Sequence, residues 1–498
     1  MTGFDALLQP LTLKTKRIRN RVMSTAHAPA LVLDGLPLEQ YQRYHEEKAK
    51  GGIGLTIFGG SSTVSVDSPA TFGQIDLSTD RVIPSFRQFA ERIHAHGTLL
   101  WCQITHMGRR TRWDAGSWVV PVSPSHVREP EHRSFPRPMD GSDFPRIKRD
   151  FVEAALRCRE GGLDGVELSY ASSHLIGQFW SPGVNLRTDE HGGSLANRMR
   201  FSLEILQAIR DAVGPDFIVG VRISGDELMA DGLSREECHA IGCIVAASGL
   251  ADYLNVMGGS ARDYRVGAAT MANMAFPSAL YLPLASAIRA AVDIPVFHSG
   301  RITDLETAAR AISDGHVDMV ALTRGHMADP YIVRKLLDGR VNDIRPCVGA
   351  NYCTDRIYMH GQSLCVHNAA TGRELTMPHV IARSGGPKCK VVVVGGGPGG
   401  LEAARVSAER GHDVVLFEAE QKTGGQIHLA AKAPWRASLL GIVTWLDRQV
   451  RELNADVRLG RVASVEDVLA ESPDIVVLAT GGTPNKGRFA GAEFAMTS

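Results

Sequence analysis

Short apolar runs alternate with stretches of helical periodicity through the first part of the chain. The runs are RVMST from Arg21, GLTIF from Gly54, TLLWCQI from Thr98, DGVEL from Asp164, FIVGVRI from Phe217, YLNVM from Tyr253, PVFHSG from Pro295 and DMVALT from Asp318. Each has the length and apolar continuity of a strand. Between them lie helical patterns such as SREECHAIGCIVAASG (Ser234–Gly249) and DLETAARAISDG (Asp304–Gly315). Both open on an N-cap residue and close on a glycine, as helices do. Eight parallel strands separated by helices within about 340 residues predict an α/β fold, a (β/α)8 TIM barrel. Gly108 to Phe144, rich in Pro, Arg, Trp and His, is the longest predicted loop. A loop of that length in a barrel usually caps the active site.

The pattern changes at Ile381–Lys390, a Gly/Pro/basic linker. Beyond it, VVVVGGGPGGLEAARVSAERGHDVVLFEAE reads as strand, glycine turn, helix and second strand. Gly395, Gly397 and Gly400 form the G-x-G-x-x-G spacing, and Glu418 ends the second strand. Glycines let backbone approach a pyrophosphate at a helix N-terminus, and the acid can accept from ribose hydroxyls. DIVVLATGG (Asp474–Gly482) predicts a further strand of the same domain. The predicted domains are therefore 1–340, a barrel; 341–385, a cysteine-containing loop and linker; and 386–498, a partial, truncated Rossmann-like domain for FAD or ADP. The stop at Ser498 falls short of a complete two-dinucleotide module, so a fragment of a longer protein is expected.

Charge narrows the function classes. Lys+Arg and Asp+Glu both number 54, giving a formal net charge of zero and no reason to expect nucleic acid or an anionic membrane as partner. No uncharged apolar stretch reaches about 18 residues, and the start MTGFDALLQPLTL has no signal-peptide pattern, so a cytoplasmic protein is expected. The chain's 8 cysteines are too sparse for a disulfide framework. Three of them cluster: RPCVGANYC carries Cys347 and Cys353, and QSLCVHN carries Cys365. The spacing approaches an iron–sulfur loop, with Ala350 where another thiolate would stand.

PLTLKTKRIRNRVMSTAHAP, QITHMGRR, GQFWSPGVNLRTDEHGGSLANRMRF, PVFHSGRI, VALTRGHMADP and RPCVGANYC together resemble the NADH:flavin oxidoreductase (Old Yellow Enzyme-like) family. Within it they are most similar to the subgroup of trimethylamine dehydrogenase and 2,4-dienoyl-CoA reductase. The resemblance implies FMN at the C-terminal ends of the barrel strands. Ala26, His27 and Gly60 match contacts near the isoalloxazine. Gln103 would donate to its pyrimidine edge, and Arg222 would stabilise the reduced ring near N1. Gly300, Arg301 and Arg324 would hold the phosphate. Cys347, Cys353 and Cys365 map onto three of the four ligands of a 4Fe–4S-type cluster. A three-iron cluster, a substitute ligand such as Cys389 or His367, or no cluster all remain open.

The departures bear on function. In VELSYASSHLIGQFW, Ser169 and Ser172 stand at the carbonyl-gripping positions of the family's ene-reductases, and His174 replaces their proton-donating tyrosine. His174, expected to titrate near neutrality, or Asp263 would deprotonate an amine, or His174 is simply a wall residue. Ala28 replaces the cysteine of a covalent flavin link. Tyr264, Trp180, Trp113 and Trp118 are candidates for an aromatic wall, and Arg262 and Arg265 for a carboxylate site. STAHAP, FGGSS, QITHMGRR and IGQFWSP are similar to the branch that oxidatively demethylates N-methylated amino acids of the N-methylproline or dimethylglycine type. An NAD(P)H-dependent enoate or dienoyl-CoA reductase is the alternative. A small-molecule substrate, an electron-transfer flavoprotein or NAD(P)H as redox partner, and a homo-oligomer are expected.

Overall fold

The structure, a computed structural model, describes residues 3–112, 118–171, 173–482 and 491. The chain divides into two units, Met1–His379 and Val380–Ser498.

Eight strands close into a barrel in the first unit: β1 (Val22–Ser24), β2 (Leu55–Thr63), β3 (Leu99–Thr105), β4 (Gly165–Ser169), β5 (Ile218–Ser224), β6 (Tyr253–Met257), β7 (Val296–His298) and β8 (Met319–Ala321). Neighbours pair in parallel all the way round, from Met23↔Leu55 between β1 and β2 to Ala321↔Met23 between β8 and β1. Each strand lies on one of the apolar runs. The helix Arg235–Ala247 opens on Ser234 in a full capping box with Glu237, and Asp304 caps Leu305–Ser313 through the Thr307 N–H. These caps satisfy backbone donors that a helix start leaves unpaired.

Alternation along the strands builds the barrel interior in layers. At the bottom, Trp101, Tyr253 and Phe297 stack, with centroids 4.9 Å apart for Trp101–Tyr253 and 4.4 Å for Tyr253–Phe297. Gly220 makes room for this plug, since a Cβ there would lie 1.9 Å from the Tyr253 ring. Two residues further along the same strands the inward positions become polar: Gln103 on β3, Glu167 on β4, Arg222 on β5 and Asn255 on β6. Register aligns Gln103 with Glu167 and Arg222 with Asn255. The aromatic plug thus supports a polar floor facing the strands' C-terminal ends.

The described parts of the long segment after β3 are tied down. Short strands Val122–Ser123 and Arg137–Pro138 pair, and buried Arg109 donates to the carbonyls of Val127 and Arg128 at 3.2 and 3.1 Å. Among the described residues no helix is long and apolar enough to cross a membrane.

In the second unit, β9 (Lys390–Val394), β10 (Asp413–Phe417), β11 (Asp456–Arg458) and β12 (Ile475–Leu478) form a parallel sheet in the order β11-β10-β9-β12. The helix Pro398–Glu409 follows β9 across the glycine turn.

Truncating Trp101 to Ala removes the largest ring of the aromatic plug and should destabilise the barrel by about 3–5 kcal/mol. Thermal unfolding followed by intrinsic fluorescence will show a large drop in Tm; an unchanged Tm would contradict a load shared across that stack.

Candidate active site

A cavity of ≈ 330 Å³ opens at the C-terminal ends of the barrel strands. Ala26, His27, Gly60, Gln103, His174, Arg222, Gly300, Arg301 and Arg324 all line it. So do residues that the sequence alone did not single out, among them Thr25, Ser61, Arg110, Met257, Ser299, Ile357 and Tyr358.

The floor is held by one carboxylate. Glu167, fully buried, accepts from Gln103 Nε2 at 2.7 Å, Asn255 Nδ2 at 2.8 Å and Tyr253 Oη at 3.1 Å. Gln103 Oε1 accepts from the Ser61 N–H at 3.0 Å, so the amide is fixed and keeps its second N–H. Arg222 donates to Thr25 Oγ1 at 3.0 Å and Ser299 Oγ at 2.9 Å. Burial draws its pKa down, while the charge of Glu167 pulls it up. A guanidinium on a cavity wall, with no carboxylate in direct ion-pair contact among the described residues, suits an anionic ring.

The FGGSS segment shapes the upper wall. Gly59, Gly60 and Ser61 all have positive φ, and the pairing of β2 with β3 shifts between Phe58 and Ser62. A Cβ on Gly60 would lie 2.1 Å from the His27 carbonyl carbon, so only glycine allows this close approach. His27 hydrogen-bonds the Thr25 carbonyl and the Tyr44 hydroxyl, both at 2.8 Å. At the opposite corner, burial and the neighbouring charge of Arg324 lower the pKa of Arg301. An anion bound between two such guanidinium groups would relieve their repulsion. These features fit a flavin phosphate at one end and its ring over the floor.

His174 sits among hydroxyls: Nδ1 is 3.0 Å from Ser169 Oγ and 3.2 Å from Thr105 Oγ1, and Nε2 is 3.5 Å from Ser61 Oγ. Its expected titration near neutrality needs correction. Burial, then the charges of Arg110 and Arg222, push its pKa down to about 3, so the ring is neutral at physiological pH. Asp263 and Tyr264 do not line the cavity. Asp263 caps the helix Tyr264–Thr270, accepting from the Val266 N–H at 2.8 Å, and Tyr264 is 68% exposed. Arg262 is buried in an ion pair with Asp231 at 2.7 Å, and Arg265 is exposed. Trp180 is a core residue donating to Ser202 Oγ, and Trp118 faces solvent. The aromatic rings on the wall are Phe72 and Tyr358. Ser172 and Trp113 lie outside the described residues.

Cys347, Cys353 and Cys365 line one small void together with Ala350, His367 and Arg324. The Cys365 sulfur accepts from the His367 N–H at 3.4 Å. Burial raises the pKa of Cys353, and raises Cys365 to about 11, with Cys347 adding to both. The three sulfurs do not all fall within 4.8 Å of one another. Three thiols around one void are the donor type that iron–sulfur clusters take. Cys389 belongs to the second unit.

In that unit Gly395 has φ +107°, and a Cβ there would meet the Ala479 carbonyl oxygen at 2.3 Å. A Cβ on Gly400 would lie 1.8 Å from the Gly395 carbonyl oxygen, whereas at Gly397 it would meet nothing within 4 Å. Two glycines therefore serve packing, and the third leaves open space at the helix N-terminus where a pyrophosphate would approach. Glu418 accepts from the N–H groups of Gly396 at 2.7 Å and Glu420 at 2.9 Å, tying the turn to the end of β10.

Buried neutral imidazoles set the acid limit of the barrel. His174 and His326 are held near about 3 and His298 near about 4, in each case chiefly by burial. In the unfolded chain histidines take up protons near pH ~6.5, so between that value and about 4 the unfolded state binds protons the native state refuses. Stability is therefore full above pH ~6.5 and falls as pH drops through this window. The Tm should decline from pH 7 to pH 5, and His326→Gln should flatten that slope; a pH-independent Tm would refute it.

The chain matches the NADH:flavin oxidoreductase / NADH oxidase family over residues 6–343 and an FAD binding domain over residues 390–435. It is 50% identical over 485 residues to the N,N-dimethylglycine/sarcosine dehydrogenase of Chromohalobacter salexigens, covering 97% of this chain and 70% of that protein. It is 49% identical over 491 residues to a multifunctional alkene reductase/demethylase of Caballeronia cordobensis, covering 98% and 71%. Among solved structures, a 2-naphthoyl-CoA reductase complex superposes with a TM-score of 0.92 at 27% identity, over 98% of this chain and 76% of that one. With a barrel whose cavity fits a flavin and a second unit built for a dinucleotide, the chain belongs to the NADH:flavin oxidoreductase / NADH oxidase family.

Proposed function

We propose that this flavin-dependent oxidoreductase removes a methyl group from the nitrogen of a methylated amino acid, of the dimethylglycine or N-methylproline type. The observation that carries the reading is the composition of the cavity wall. Among the described residues its charged side chains are Arg110, which Glu131 pairs from outside the lining, and Arg222, Arg301 and Arg324, and no described Asp or Glu lines it. A neutral histidine stands after β4 where an ene-reductase would offer a donating tyrosine. FMN, when bound, supplies the acceptor for a hydride.

Three guanidinium groups with no ion pair among the described residues, Arg222, Arg301 and Arg324, disfavour a bare ammonium ion and favour the free amine. The amine enters as the free base, its proton left to solvent, and His174, uncharged and oriented by three hydroxyls, adds no charge to oppose the cation that forms. With the lone pair released, the N–CH3 carbon loses hydride and becomes an iminium carbon. Water adds to it, and the product breaks into formaldehyde and the demethylated amine. The residues' task is to desolvate the nitrogen and keep the methyl in line with the acceptor.

Anaerobic addition of N,N-dimethylglycine or N-methylproline should bleach the bound flavin and release formaldehyde. The bleaching rate at low substrate should rise with pH, because the free amine is the reactive form. Bleaching by NAD(P)H alone, with reoxidation by an enoate, would establish the second reading, alkene reduction, which the name of the Caballeronia relative includes.

The three cysteines around one void support a cluster with one corner free of a protein thiolate. Purified protein should then contain about three or four irons and as many labile sulfides per FMN. Cys365→Ser should abolish both; iron near zero in the unaltered protein would refute the cluster.

A further inference from the structure

We infer that Arg110 and the hydroxyl of Tyr358 form the subsite that receives the substrate carboxylate, and that Glu131 occupies this subsite in the free protein. The inference rests on the proposed reading of the cavity as an amino acid demethylation site, and it assigns the part of that site which recognises the acid.

The argument starts from the charges on the wall. Arg222 is committed to the floor, and Arg301 and Arg324 to the corner beyond β7 and β8. Among the described residues of the wall, Arg110 is the charged group that remains to meet an anion, and its charge reaches His174. It is 3% exposed and fixed from behind by a hydrogen bond to the Ala261 carbonyl. Its Nε is buried and has no hydrogen-bond partner among the described residues. Its Nη2 is 2.8 Å from Glu131 Oε2, whereas Glu129 lies at 3.8 Å from Nη1.

The two glutamates differ in how firmly they are held. Glu129 is 1% exposed and accepts from the His132 N–H, so it stays with the loop. Glu131 has its ion pair with Arg110 and a more exposed side chain. A carboxylate on Arg110 is thus already the resting arrangement, and a substrate carboxylate can replace it one for one. Such an exchange avoids leaving a buried guanidinium unpaired at any stage.

Tyr358 supplies the second donor. It projects from the helix Tyr352–Tyr358, and its ring packs edge-on against Phe72 at 5.6 Å. Tyr358 and Arg110 line the same cavity, and burial and the charge of Glu131 raise the Tyr358 pKa while the charge of Arg110 lowers it. A planar carboxylate between a guanidinium and a phenol is a geometry proteins use repeatedly.

The test uses the FMN-loaded protein and glycine betaine, which has the carboxylate but a quaternary nitrogen with no lone pair to drive hydride loss. Choline, with the same cation and no carboxylate, is the control. Binding is read from perturbation of the oxidised flavin spectrum, so it does not depend on turnover. Betaine should bind and choline should not. Arg110→Gln should weaken betaine roughly 30-fold, the worth of a charge-assisted pair. Tyr358→Phe should weaken it several-fold, and Glu131→Gln should tighten it. These opposite signs distinguish a subsite from mere structural damage, even if Arg110→Gln folds poorly. Equal binding of betaine and choline, or a Glu131→Gln variant that binds betaine no better, would overturn the assignment. Failure of dimethylglycine to bleach the flavin would overturn the demethylase reading instead.

Discussion

Glu167 is the group on which the rest of the site depends. A fully buried carboxylate in a barrel interior is costly unless its oxygens are satisfied and a cation compensates it. Here Gln103, Asn255 and Tyr253 donate to it, and Arg222 lies close enough for each charge to act on the other. That single requirement fixes the rotamers of the floor. It orients Gln103, whose oxygen in turn holds the Ser61 N–H and with it the bulged end of β2. It also anchors Tyr253, the middle ring of the plug beneath. A site built on such a base can be positioned by strands alone and needs little from the loops.

The loops contribute discrimination instead. The segment after β3 brings Arg110 and Glu131, and the helix after the barrel brings Tyr358. That helix begins beside Cys353, so the cysteine loop is part of the cavity's construction. Arg324 lines both the cavity and the cysteine void, giving the phosphate corner and the cysteines one shared wall.

Much of this was legible from residue order. Strand runs, helix caps and the glycine turn are local signals, and the eight runs and both capped helices appear where the pattern put them. Motif resemblance located residues at strand ends, where side-chain direction follows from strand direction. The side chains after β6 were harder. Asp263 looked like a base beside a substrate loop, but a helix start claims its oxygen. Arg262 looked available, but Asp231 pairs with it. Trp180 is drawn into the core because its ring buries well and its N–H finds Ser202. The partners of Arg262 and Trp180 are distant in sequence, whereas Asp263 is claimed locally, by the Val266 N–H of the helix it caps.

The sequence by itself determined the architecture, the order of the strands and the identity of the groups at their ends, because periodicity and capping act over a few residues. Tertiary structure decided which of those groups carry charge into the cavity. Burial among arginines makes His174 neutral, and the carboxylates nearest the wall are turned onto Arg110. It also decided that Arg110 and Tyr358, 248 positions apart in the numbering of the chain, face the same space. Electrostatics and desolvation depend on distances through space, and no local pattern encodes those.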